Sequence, residues 1–208
     1  MIDTERHPLE PFLPKEAKLL MLGSFPPPRK RWCMDFFYPN RSNQMWNIFG
    51  LLFFDDAERL VDADHKAFRK SVIQELLNQK GIAIYDTACA VRRLSGNASD
   101  KDLEIVEKTD IPALLAHIPH CHNIVCTGQK SFSVLTEDYG VPVPKMGCFN
   151  IFTLNSPPKL GGVPRRGEGV CKTLRLWRMP SSSRAYPMPL AEKADYYRDM
   201  MKQIGILK

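Results

Sequence analysis

The sequence predicts an α/β fold, with three layers (α/β/α) built around a central, mainly parallel sheet, and three observations lead to it. Short apolar runs of β type recur at residues 18–22, 82–85, 123–126, 150–154 and 173–178. Stretches with helical periodicity stand between most of these runs. Polar segments rich in turn residues follow several of the runs directly. Strands that alternate with helices pair in parallel through right-handed crossovers, which place helices on both faces of the sheet. A chain of 208 residues suits one core, so residues 1–208 are expected to form a single domain.

Taken in order, the chain opens on a polar stretch and a leader punctuated by Pro8, Pro11 and Pro14, and then enters the apolar strand at 18–22. Residues 43–54 carry Met45, Trp46, Ile48, Phe49, Leu51, Leu52 and Phe53, which is apolar all round and reads as a buried helix. Residues 67–78 set Phe68, Val72, Ile73, Leu76 and Leu77 on one helical stripe, and Gly81 then opens the strand at 82–85. Asp110 is a natural N-cap for the next helix, with Pro112 in its first turn and Leu114, Leu115 and Ile118 along it. A third strand at 123–126 leads into a helix at 128–135. Two more strands at 150–154 and 173–178 precede an amphipathic helix at 190–204. Residues 155–169 are dense in Gly, Pro and basic residues and read as a loop.

Composition narrows the function classes. With 44% hydrophobic and 25% charged residues the chain resembles ordinary soluble proteins, and its net charge of +6 favours an anionic partner, nucleic acid being the commonest. None of the six cysteines falls in a C-x-x-C pair, and Cys121 and Cys126 flank an apolar strand. Neither a zinc nor an iron–sulfur pattern is present, so no metal or other cofactor is expected, and free thiols fit a cytoplasmic setting. The polar N-terminus lacks the apolar stretch of a signal peptide, and no run approaches the roughly 18 apolar residues of a membrane helix. The five histidines are scattered, and none is assigned a catalytic role. A monomer is expected.

Two polar segments stand directly after strand runs. The first reads Gly23-Ser24-Phe25-Pro26-Pro27-Pro28 and continues to Phe37-Tyr38-Pro39-Asn40-Arg41-Ser42-Asn43-Gln44-Met45-Trp46. The second reads Met179-Pro180-Ser181-Ser182-Ser183-Arg184-Ala185. Ligands of open α/β sheets bind outside the carboxyl ends of the strands, so the two segments are expected to be two walls of one cleft. Gly23 lets backbone approach a ligand closely, and Pro26 with its neighbours makes a rigid wall. Phe25, Phe37 and Tyr38 offer faces for base stacking, worth about 1–3 kcal/mol per base. Asn40 and Asn43 carry carboxamides suited to holding a water or reading a base edge, and Asn43 also stands where a helix N-cap would.

The joint pattern of Gly23-Ser24-x-Pro26, the aromatic pair Phe37-Tyr38 and Asn43-x-x-Trp46 resembles the uracil-DNA glycosylase superfamily, and most closely its hypoxanthine-DNA glycosylase branch. The resemblance implies a monofunctional DNA glycosylase that hydrolyses the N-glycosidic bond of a deaminated base in base excision repair. Hypoxanthine would be the preferred base, with uracil or xanthine as further substrates. Such an enzyme extrudes its target nucleotide, stabilises an oxocarbenium-like sugar and places a water beneath it. By the same resemblance Asn43 orients that water and Asn40 is the second candidate, because Phe25 stands where mismatch-specific relatives carry their catalytic Asn. Gly23, Ser24, Phe25, Pro26 and Tyr38 would bind the base, together with Asp86 and Thr127 at the ends of later strands. Ser181, Ser182, Ser183 and Arg184 would contact DNA as a phosphate clamp and wedge. Met179 stands where uracil-preferring relatives place His or Asn, which favours the hypoxanthine branch. No lysine is placed for Schiff-base chemistry, so strand cleavage is not expected.

Several positions keep two readings. The Asp86 carboxylate can accept an N–H from hypoxanthine or uracil, or cap the turn before Thr87. Thr127 can line the pocket, or Gly128 can simply make a tight strand–helix turn. Residues 96–100 resemble a stretch that supports the site in the branch. The basic groups Arg29-Lys30-Arg31, Arg92-Arg93 and Arg165-Arg166 form an electrostatic floor for a duplex if they converge, and are otherwise solvated surface charge. Two rival functions remain: a uracil or thymine mismatch glycosylase, and a DNA-binding protein of this fold without catalysis.

Overall fold

The computed structural model describes residues 3–94, 102–155 and 171–208. The strands are β1 (Thr4–Arg6), β2 (Leu19–Gly23), β3 (Ile82–Asp86), β4 (Ala88–Arg93), β5 (Leu103–Lys108), β6 (Asn123–Cys126), β7 (Phe149–Asn155) and β8 (Cys171–Arg178). The helices are α1 (Met45–Phe54), α2 (Lys70–Lys80), α3 (Ile111–His117), α4 (Gln129–Tyr139) and α5 (Leu190–Gln203). A five-stranded sheet in the order β3-β2-β6-β8-β7 forms the centre, parallel throughout except for β7, which runs antiparallel to β8. The expected α/β fold with a mainly parallel sheet is therefore present.

Residue chemistry explains the order of this sheet. Every residue of β2, β3 and β6 is buried, as central parallel strands covered on both faces must be. From β2 the chain crosses to β3 on one side, and later places β6 and β8 on the other. With right-handed crossovers, that reversal puts α1 and α2 on the face opposite α3 and α4. Asp110 caps α3 as expected, its carboxylate accepting the Ala113 N–H at 3.0 Å. Helix α2 ends at Gly81, whose φ of 65° lies in the left-handed region that glycine enters without strain. At the amino edge of the sheet, the buried Trp177 indole donates to Asn123 Oδ1 at 3.1 Å, and Asn123 Nδ2 donates to the Lys18 carbonyl at 3.1 Å.

Three features depart from the sequence reading. Strands β7 and β8 pair antiparallel rather than as parallel neighbours. A second, three-stranded antiparallel sheet, β1-β4-β5, lies beside the main one. Its strands were not expected: β1 is three exposed residues, and β4 begins two residues after β3 ends. Helix α2 starts at Lys70 rather than near residue 67, because Val61 and Phe68 pair in an isolated bridge. The small sheet has its own apolar cluster of Phe25, Ala88, Val91 and Leu103.

Candidate active site

Strand β2 lies between β3 and β6, at the point where the strand order reverses, and the crevice at its carboxyl end is where a ligand of such a sheet binds. Gly23 ends β2, Asp86 ends β3 beside it, and Thr127 directly follows β6. The backbone here is tightly tied. Thr87 donates its N–H to Gly23 O at 2.9 Å, and Thr109 Oγ1 donates to Asp86 O at 2.7 Å. Gly23 has no room for a side chain, since a Cβ there would lie 2.1 Å from Asp86 Oδ1. The glycine lets the carboxylate of the neighbouring strand fold over the end of β2.

The Asp86 side chain is only 10% exposed, and its Oδ2 lies 2.9 Å from His7 Nε2. His7 follows β1, which pairs antiparallel with β4, and its own N–H donates to Cys89 O at 2.8 Å. The imidazole is 2% exposed. It stands edge-on to Phe25 at 5.3 Å between ring centres, with Tyr85 at 4.7 Å and Phe37 at 6.1 Å. Nδ1 lies 2.8 Å from Leu9 O and 3.1 Å from Leu9 N, so both ring nitrogens are held. Sequence reasoning missed this residue. Its partner is 79 positions away, and no local pattern marks a His in a polar leader.

Tyr38 adopts a φ of 50°, a left-handed conformation that non-glycine residues seldom take, and such strain clusters at functional sites. Its hydroxyl reaches Thr127 Oγ1 at 3.1 Å, spanning the crevice from the first segment to the end of β6, and its ring meets Trp46 edge-on. Burial pushes the Tyr38 phenol well above its usual range, the bond to Thr127 opposes this, and the Asp86 charge adds to it. Burial raises Tyr197 as well. A phenol raised on folding stabilises the native state below the ordinary tyrosine range, and that contribution is lost as pH rises past about 10. Denaturant midpoints are therefore expected to fall between about pH 9 and about pH 11, and to fall less in Tyr38→Phe. An equal fall in both proteins would refute the assignment to Tyr38.

The two segments named from the sequence meet. Asn43 and Ser183 form an antiparallel bridge, Gln44 donates its N–H to Ser182 O at 2.7 Å, and Arg184 donates to Ser42 O at 3.3 Å. Beneath them Lys193 of α5 is fully buried, and its Nζ donates to Gln44 Oε1 at 2.8 Å and to Ser183 O at 2.7 Å. Burial lowers the pKa of this ammonium. Tyr197, one turn further along α5, donates its hydroxyl to Pro180 O at 3.1 Å.

Individual candidates are used unequally. Asn43 Oδ1 accepts the Met45 N–H at 2.9 Å, but the N-cap of α1 is Gln44 rather than Asn43, and Asn40 Oδ1 accepts the Ser42 N–H at 2.9 Å. Phe25 is not an open stacking face: it is 8% exposed and packs into the cluster of the small sheet. Ser24 stays partly exposed at the crevice, while Pro26 is buried and accepts from Arg93 at 2.6 Å. Ser182 is turned inward at 2% exposure, whereas Ser181 and Ser183 are half-buried and Arg184 is exposed. The Ser181 and Ser183 hydroxyl oxygens accept backbone N–H groups at 3.2 Å, which leaves their own protons free to donate. Met179 is buried.

The basic groups do not all form a floor. Arg93 is 10% exposed, pairs with Glu5 at 2.9 Å and lies over the Phe25 ring, so it braces the small sheet against the first segment. Arg92 pairs with Glu104 at 3.6 Å, and Arg29 pairs with Asp35. Arg165, Arg166 and residues 96–100 lie outside the described residues. One surface groove, lined by Glu16, Lys18, His120 and His122, lies at the opposite, amino end of the strands. Another is formed by Asp56, Glu58, Arg59 and Arg69, after α1.

The α/β fold, with its mainly parallel five-stranded sheet, matches that of a solved structure. The likeness is to a solution NMR structure titled "putative Uracil DNA glycosylase" from Methanosarcina acetivorans, with a TM-score of 0.58 and 17% sequence identity over 98% of this chain and 99% of that one. At that identity the likeness establishes the fold. No family model and no curated protein matches the sequence.

Proposed function

We propose that this protein is a DNA glycosylase that hydrolyses the N-glycosidic bond of a deaminated base, with hypoxanthine as the preferred substrate. The observation that carries the reading is the joining of the two polar segments across the switch point of the sheet, over a floor of Gly23, Asp86, Tyr38 and Thr127. The fold shared with a structure described as a glycosylase supports it. Tyr38 and Ser24 line the crevice that takes the flipped base, and Gly23 and Thr127 form its floor. Ser181, Ser183 and Arg184 hold backbone phosphates, and Asn43 and Asn40 are polar contacts on the rim. Buried Met179 gives the pocket an apolar patch rather than a hydrogen bond for uracil. The chemistry is monofunctional. Lys193, the lysine beside the segments, has its Nζ committed to Gln44 and Ser183 and does not face the crevice as a nucleophile.

Labelled duplexes carrying one hypoxanthine, uracil or xanthine test the reading. Release of hypoxanthine faster than uracil, with no strand break before alkali treatment, is expected. Uracil released well above hypoxanthine would replace this substrate with that of a uracil or mismatch enzyme. Binding to damaged duplexes without release of any base would leave a DNA-binding protein of this fold.

A further inference from the structure

We propose that Asp86 and His7 act as a dyad in which Asp86 Oδ1 takes the proton of the attacking water and His7 is the positioning residue that holds the carboxylate in place. The proposal rests on the glycosylase reading and names the water-activating group within it. Three observations carry it. First, the carboxylate is nine-tenths buried, with Oδ2 bound to His7, while Oδ1 makes no hydrogen bond among the described residues. That oxygen lies over Gly23 at the floor of the crevice, where a Cβ would meet it at 2.1 Å. Second, His7 is fixed on every side: Phe25, Phe37 and Tyr85 surround the ring, and Leu9 holds Nδ1. A buried His–carboxylate couple is a poor source of fold stability. Third, Asn43 and Asn40 both direct Oδ1 to backbone N–H groups of their own turns, so neither amide oxygen is fully free for a water.

A carboxylate is suited to the task. Its charge stabilises an oxocarbenium-like sugar, and its free oxygen accepts a proton in line with the attack. In the step, the water oxygen bonds to C1′ as the C1′–N bond breaks, and the electron pair leaves with the base. The water proton passes to Asp86 Oδ1 and then to solvent, and the departing base anion takes a proton from solvent.

Single-turnover release of hypoxanthine from a duplex, measured beside the Kd for the same duplex and thermal unfolding, tests the dyad. Asp86→Asn is expected to slow release by about 100- to 1,000-fold with Kd unchanged. His7→Phe keeps an aromatic ring in the box but removes the donor, and is expected to slow release by about 10- to 100-fold. His7→Gln restores a donor near Nε2, and is expected to recover most of the rate that His7→Phe loses. Asn43→Ala is expected to slow release less than Asp86→Asn. Unimpaired Asp86→Asn, or a His7→Phe defect that His7→Gln does not relieve, would overturn the dyad alone. Wild-type protein that releases no base would overturn the glycosylase reading and the dyad together.

Discussion

Gly23→Ala is expected to abolish base release while leaving a folded protein. The new Cβ would sit 2.1 Å from Asp86 Oδ1 and 3.3 Å from its Cγ, well inside van der Waals contact. A carboxylate is short, so relief requires turning it away from the end of β2, and that breaks the 2.9 Å contact with His7. The strain, together with the lost contact, is expected to lower stability by about 1–3 kcal/mol. Release should fall by more than about 100-fold, because the group that faces the crevice is the one displaced. A double variant separates the two effects. With Asp86→Ala in the same chain the collision has no partner, so stability is expected to return toward that of Asp86→Ala alone while release stays absent. Denaturant unfolding and single-turnover assays on the four proteins of this cycle make the check. Wild-type release by Gly23→Ala would mean that the carboxylate moves freely and that its observed position has no part in the reaction.

Lys193→Met carries the second large effect. The methionine fills much of the same buried space but takes the donor from Gln44 Oε1 and Ser183 O. Two opposing terms set the stability change. The lost bonds each contribute about 1.5–3 kcal/mol when the donor is charged, but burying that charge was itself unfavourable. A net loss of about 1–3 kcal/mol is expected. Function should fall further than stability, since Lys193 is the one side chain among the described residues that grips both polar segments from beneath. Release by the folded variant is expected to drop by about 10- to 100-fold, with weaker binding of duplex DNA. Equal losses of stability and activity, or none of activity, would limit Lys193 to a packing role.

How far the site was legible follows from the distance over which each signal acts. The fully apolar runs behind Gly23, Asp86 and Thr127 identify central strands, and a strand end in an open sheet identifies the crevice. The meeting of the two polar segments follows from the same rule. His7 was not legible, because its meaning arises from a pairing of β1 with β4 that places it beside a residue 79 positions away. Lys193 was hidden for a different reason: on a helix that reads as amphipathic, a lysine looks like part of the solvated face, yet it points inward. Phe25 shows the reverse error. An aromatic residue beside a Gly-Ser turn suggests a platform for a base, but the unexpected small sheet provides an apolar bed that takes the ring first.

The bridge between Asn43 and Ser183 has a consequence for how a nucleotide would enter. Lips that are sewn to one another, and pinned again by a lysine below, cannot swing shut around a guest. In a protein that extrudes a nucleotide, the distortion would then fall on the duplex rather than on the protein. A lesion whose pairing is already weak gives up its base at less expense than one in a sound helix, so discrimination would begin in the mechanics of the DNA before any atom of the base is read.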